Sequence, residues 1–364
     1  MVTSGRAPIV VGLDPGPSHR LVLAWGADEA DRRRVPLQLV HAQGRSPGED
    51  APRHHYGGVW AHDRRSLAEH TLLDAVAYVN DRHPRLEVLT LLAADDPVPL
   101  LRRHASTAAA VVLGSHRLRT REGLFTSASV VLPVIAHAGC PVVVVRDFDQ
   151  VGGSSPHFVV GVDVGMDGRH HSVAAVDHAL AEGALHRAVV RVLYVWHPPL
   201  LGVLDEHAAL RESRALLSEL VESRRAAHPD VEVRHEVIRG RPAQVLARES
   251  AQALGLVVGI RGDDVPTGML LGSVVQGVLD RARCPVVAVP RSERQQRTYG
   301  SERFGRATRR AQRAAVRRAR RLAGFARAWP GMARRGSRSW VRHGGQARRG
   351  LGMRRWRRWA GLRW

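Results

Sequence analysis

The residues best spaced for chemistry are glycines at the end of one apolar run. Gly259-Ile260-Arg261-Gly262 is followed, after nine intervening residues, by Gly272-Ser273. Residues without a Cβ let the backbone approach a phosphate and present its N–H groups unobstructed. Ser273 is expected at the N-cap of a helix, with Gln276 three residues on at capping-box spacing. The first turn of that helix, at Val274 and Val275, would then offer free N–H donors and a positive dipole end to an anion. Asp163, directly after the apolar run Phe158–Val162, adds a polar group at a second strand end.

Other reactive residue types do not assemble. No lysine occurs, all 55 basic residues being Arg, which removes a P-loop lysine, a Schiff base and a lysine general base. Twenty histidines invite a metal reading, but His54-His55 and His170-His171 are adjacent pairs in polar loops, without further ligands at zinc spacing. Cys140 and Cys284 precede strands and read as buried small apolar residues rather than redox partners. No set of residues joins a nucleophile to its base, so the sequence points to binding rather than catalysis.

Charge divides the chain. Residues 291–364 carry 24 Arg, two Glu and no Asp, a net +22, whereas the whole chain is +21, which leaves residues 1–290 near neutral at −1. The body is therefore not a nucleic-acid binder by charge. Two cysteines make no disulfide framework, the first residues read as a strand rather than a signal peptide, and no run nears the ~20 apolar residues of a membrane span. A cytoplasmic location is expected.

The elements that must hold the glycines are written twice. Ile9-Val10-Val11-Gly12-Leu13-Asp14 opens one copy and Phe158-Val159-Val160-Gly161-Val162-Asp163 the other. Helices are expected at about 20–34 and 172–183, second strands at Leu37–Ala42 and Val190–Val195, and third strands near Leu86–Leu92 and Val231–Ile238. Helices at Pro97–Ala105 and Pro242–Ala253 lead to fourth strands Ala110–Gly114 and Gly255–Gly259, and fifth strands open at Cys140-Pro141 and Cys284-Pro285. Short β-branched runs alternating with helices predict an α/β fold whose parallel sheets are covered on both faces. Boundaries are expected at 1–148 for the first domain, 149–156 for a linker, 157–290 for the second domain and 291–364 for a basic tail.

The spacing Gly-x2-Gly-x9-Gly-Ser, together with Gly161-Val162-Asp163, Tyr194-Val195 and Cys284-Pro285-Val286-Val287, resembles the ATP-binding signature of the universal stress protein family. The resemblance spans about residues 8–146 and 157–290. It implies two tandem Rossmann-like domains of the adenine nucleotide alpha hydrolase-like kind, each a five-stranded parallel sheet of order 3-2-1-4-5. It also implies an adenine near Asp163 and Val195, and a ribose and phosphates along Gly259, Gly262, Gly272, Ser273 and Val274. ATP is the implied ligand. Asp263 and Asp264 depart from the family pattern, pointing into solvent or bridged to the triphosphate by Mg²⁺.

In the first copy Asp14, Ala42, Gly114 and Ser129 are the weaker counterparts. There Arg117 stands at the second glycine, Ala128-Ser129 replaces Gly-Ser, and the loop is one residue longer. A degenerate site follows, and the resemblance implies that this domain pairs through its fifth strand into an intramolecular pseudo-dimer, with a homodimer as a further state. In the tail, Ala307, Ala311, Ala315, Ala319 and Leu322 lie at helical spacing amid Arg, and Trp340, Trp356, Trp359 and Trp364 interleave with Arg. Nucleic acid or an anionic membrane is the partner this suits, although such a segment cannot build a core and equally suits an unordered appendage without an evolved role. The function expected is a stress-response protein that binds ATP or another adenine nucleotide as a regulatory ligand. The alternatives are an ATP-independent scaffold of the same fold and, last, a slow ATPase.

Overall fold

The computed structural model describes residues 6–14, 19–44, 57–114, 130–146, 156–163, 172–197, 205–260 and 271–290, with 57–64 as backbone only. The first half runs β1 (Ile9–Leu13), α1 (His19–Arg33), β2 (Leu37–Ala42), α2 (Gly57–Arg82), β3 (Val88–Ala93), α3 (Pro97–Ala105), β4 (Ala110–Gly114), α4 (Val131–His137) and β5 (Val142–Val145). The second runs β6 (His157–Val162), α5 (Val173–His186), β7 (Val189–Trp196), α6 (Glu206–Arg225), β8 (Val233–Arg239), α7 (Pro242–Glu249), β9 (Gly255–Gly259), α8 (Ser273–Arg281) and β10 (Val286–Val289). Pro97 and Pro242 start α3 and α7, where a missing N–H is no loss and the fixed φ is already helical. Arg34 and Arg187, at φ 56 and 51, turn the chain out of α1 and α5 in the left-handed conformation.

All ten strands form one sheet of order β3-β2-β1-β4-β5-β10-β9-β6-β7-β8. Each half is parallel within itself and has the expected order 3-2-1-4-5. The halves join where β5 and β10 pair antiparallel, Val144 opposite Val286, Val143 opposite Val287 and Val142 opposite Ala288. The fifth strands are buried along their whole length. Alternation sends Val143, Val145, Val287 and Val289 into the core on one face and Val142, Val144, Val286 and Ala288 into the core on the other. Burying each such valine contributes about 1.5–3 kcal/mol, so the seam is part of the core rather than a contact between separate bodies. Arg146 reinforces it by donating to the carbonyls of Leu279 and Ala282 at the C-terminal end of α8, at 2.6 and 3.5 Å.

Several expected boundaries shift, α7 ending at Glu249 rather than Ala253, and the start of both fifth strands moves for a physical reason. The fifth strands begin at Val142 and Val286 rather than at Cys140 and Cys284. Proline has no N–H for the ladder, yet the carbonyls of Pro141 and Pro285 still accept from Val111 and Leu256, at 3.0 and 2.9 Å. Cys140 and Cys284 are buried free thiols, and burial pushes them up to about 11 and about 12, which suits apolar filler rather than redox chemistry. The basic tail, His54-His55 and His170-His171 lie outside the described residues. Among those described, no helix is long and apolar enough to cross a membrane.

Candidate functional site

In a doubly wound sheet, ligands bind beyond the carboxyl ends of the strands where the crossovers diverge. In the second half that point lies between β6 and β9, because the chain leaves β6 toward β7 and returns on its other side to β9. Three predicted residues stand at the carboxyl ends of β6 and its two neighbours, β7 and β9. Asp163 follows the last residue of β6 and is half-buried. Val195 is buried and stands one step past the last β6–β7 pair, Val162 with Tyr194, which puts it level with Asp163. Gly259 ends β9 opposite Val289, one step past the Gly161–Val258 pair. The next residue, Ile260, donates its N–H to the Val289 carbonyl at 2.8 Å, so the sheet holds the entrance to the glycine loop rigidly.

The exit from the loop corrects the sequence reading by one residue. The N-cap of α8 is Gly272, at φ −65 and ψ 152, and Ser273 is the first helical residue, with no side-chain cap. The expected Ser273–Gln276 capping box is thus absent. The Gln276 N–H instead finds the Gly272 carbonyl at 3.1 Å, the first bond of the helix. By helix geometry, the N–H groups of Ser273, Val274 and Val275 have no acceptor within α8. Gly272 occupies backbone space open to any residue, and a Cβ built there meets nothing within 4 Å. Among the described residues, neither strain nor packing therefore asks for glycine at this position. Gly262, Asp263 and Asp264 lie outside the described residues.

The structure adds groups the sequence reading passed over. The N–H of Asp163 donates to Ser172 Oγ at 2.8 Å, tying the end of β6 to the start of α5. At the carboxyl ends of β7 and β8, the guanidinium of Arg239 lies 5.8 Å from the centre of the Trp196 ring and 2.9 Å from Glu206 at the start of α6. Trp196 and Arg239 are register partners, so the strand pairing itself brings an aromatic ring and a cation together at the carboxyl ends of β7 and β8. Only knowing the β7–β8 register would have revealed this from sequence.

The first half is built alike but finished differently. Asp14 is exposed, Ala42 stands level with it past the Leu13–His41 pair, and Gly114 ends β4. His41 Nδ1 lies 3.0 Å from the Leu13 carbonyl, so a buried ring closes the gap between β1 and β2 where Tyr194 stands in the other half. A Cβ at Gly114 would meet Val22 Cγ2 at 3.1 Å, which explains that glycine by packing. Helix α4 starts at Val131 from a Val130 that is already helical, so no extended glycine opens it. Arg117, Ala128 and Ser129 lie outside the described residues.

The universal stress protein family pattern matches residues 5–146 and 159–290. A universal stress protein of Mycobacterium tuberculosis is 34% identical over 292 residues, spanning 78% of this chain and 97% of that protein. A second one from the same organism is 30% identical over 293 residues, spanning 78% and 96%. The crystal structure of a universal stress protein from Archaeoglobus fulgidus superposes on 80% of this chain and 99% of its own, with a TM-score of 0.59 at 15% identity, a likeness of fold.

Proposed function

The chain belongs to the universal stress protein family, and on that premise we propose that its second half binds ATP or another adenine nucleotide as a regulatory ligand. The observation that carries the reading is Gly272, a glycine that neither its backbone conformation nor packing among the described residues requires, at the start of a helix beside the β6–β9 switch point. The residues fit such a ligand. Open space at Gly272 and the N–H groups of Ser273 and Val274 suit phosphates, and Gly259 allows close backbone approach. The level pair Asp163 and Val195 suits the nucleoside end. Gly262, and Mg²⁺ between Asp263, Asp264 and a triphosphate, complete the proposal from sequence.

Within this reading the first half is a supporting domain with a degenerate site, the divisions fall at 149–156 and after 290, and the protein acts in the cytoplasm. Bound nucleotide stabilises the folded state by mass action and so reports nucleotide level. Equilibrium dialysis with ATP tests it. Wild type binds and Gly272→Trp does not, whereas equal binding by both removes the assigned site. An ATP-independent scaffold is the second reading, favoured by Asp263 and Asp264 in the loop and supported by a wild type whose unfolding midpoint ATP does not move. Slow ATP hydrolysis ranks below both, since the chain has no lysine to steady a γ-phosphate. For residues 291–364 the proposed partner is a nucleic acid or an anionic membrane.

A further inference from the structure

The most unusual chemistry outside the strand ends lies where α1 and α5 meet across the two halves. Glu29 and Glu182 hold the same place in their halves, each five residues before the left-handed residue that ends its helix, Arg34 and Arg187. Approximate two-fold symmetry about the β5–β10 seam brings these two carboxylates together, exposed by only 1% and 4%. Two buried like charges demand cations. Repeat-equivalent residues supply them, but the two differ in kind: Arg33 on α1 and His186 on α5.

The four groups interlock by oxygen. Arg33 Nε lies 2.5 Å from Glu29 Oε1, and Arg33 Nη2 bonds Glu182 Oε1, so the arginine takes one oxygen of each carboxylate. His186 Nε2 faces the other two, 3.1 Å from Glu29 Oε2 and 3.6 Å from Glu182 Oε2. Among the described residues, the remaining charged or titratable neighbours are Arg32, 3.0 Å from Glu29 Oε2 at the solvent rim, and His178, 3.3 Å from Glu182 Oε1. The Phe158 ring closes the side toward β6, set at 79° to the imidazole with 5.1 Å between ring centres. One cation is permanent and one is not.

We propose that Glu29, Glu182, Arg33 and His186 form a proton-operated latch between the two halves, drawn tight when His186 is protonated and slackened when it is neutral. With the proton on, two carboxylates face two cations, and the one Nε2–H of His186 points between Glu29 on α1 and Glu182 on α5. With it off, one buried carboxylate must lean on Arg32 at the rim.

The signs agree. Burial pushes His186 down, but its bonds to Glu182 and Glu29 outweigh this and hold it above the ordinary histidine value. Its contribution is therefore complete below that ordinary value and is lost as pH rises through the raised one. Burial pushes Glu29 up, but His186 and Arg33 outweigh it and hold the carboxyl near 2, so its contribution fades only as pH falls toward 2. His178 opposes the latch. Its burial outweighs Glu182 and lowers it, so protonating His178 costs stability in acid.

The test is thermal unfolding of the full chain at pH 6 and pH 8, for wild type, His186→Gln and His178→Gln. The wild type should exceed His186→Gln by about 2–4 °C more at pH 6 than at pH 8. His178→Gln should show the opposite trend. An equal deficit for His186→Gln at both pH values makes the cluster a fixed structural contact and overturns the proposal, as does a His178→Gln variant that reproduces the His186→Gln pattern. The wild-type shift should also survive EDTA, and its abolition would assign the Glu29–Glu182–His186 triad to a metal ion instead. Should His186→Gln fail to fold, histidine NMR of wild type and Glu29→Gln decides. His186 should titrate above 6.5 and fall in Glu29→Gln. A wild-type value at or below 6.5 overturns the latch.

Discussion

Through the middle of the sheet the two halves are near copies, while at the carboxyl ends of their strands they part. A Cβ at Gly12 would meet Leu113 Cδ2 at 2.6 Å, and one at the matching Gly161 would meet Leu246 Cδ1 at 2.7 Å. Gly161 lets α7 lie close to β6, whereas Gly12 makes room for Leu113 of the neighbouring β4, with Leu101 of α3 next at 3.4 Å. Above that level the correspondence ends. One half has an extended glycine cap and a Trp–Arg pair, and the other has a helical Val130 and a histidine bridging two strands. Packing demands apply to both halves because both must fold. Demands from a ligand apply only where one binds, so divergence at the carboxyl ends of the strands is what a single retained site would leave.

That contrast can be broken or sharpened by experiment. The largest effect is expected from the part the halves share, the seam. Val287→Asp should cost more than about 4 kcal/mol and destabilise both halves in one transition by calorimetry, because it buries an unpaired charge in the joint core. Two separate transitions would show that the sheet is not one cooperative body. Next comes the part they do not share. Gly272→Trp should weaken ATP binding at least 100-fold, about 2.7 kcal/mol, and wild type should bind about one nucleotide per chain. Two per chain would place a working site in the first half and undo the contrast. Gly12→Ala and Gly161→Ala should each cost about 1–3 kcal/mol in denaturant unfolding, by similar amounts, since both overpack a leucine. Strongly unequal costs would mean the mid-sheet resemblance is superficial. Least of all, Ser172→Ala should cost about 1 kcal/mol by removing the acceptor of the Asp163 N–H. An unchanged stability would show that this tie contributes nothing.

Much of this was readable in the sequence because the strands are continuous β-branched runs set at matching intervals, and the ends Gly114, Gly259 and Ala42 fall where the runs stop. The strand order needed the family resemblance, since periodicity carries no information about neighbours. Residue-level detail failed where two neighbours could play one role. A Ser with Gln three residues on satisfies the capping-box spacing, yet an extended Gly272 takes the cap and moves the helix start by one. The Glu29–Glu182–His186–Arg33 cluster left no signal at all. Its helices are more than 140 positions apart in sequence, and only the fused sheet brings their ends together.

The antiparallel seam has one more consequence. Where two identical subunits join edge to edge, every substitution is made twice, and a change that spoils one binding site spoils its twin. With both halves on one chain, a substitution is made once. Arg33 can then face His186 across the axis, and one strand end can lose its glycine cap while the other keeps it. Covalent linkage thus gives this sheet a division of labour that a symmetric pair of the same domains could not encode.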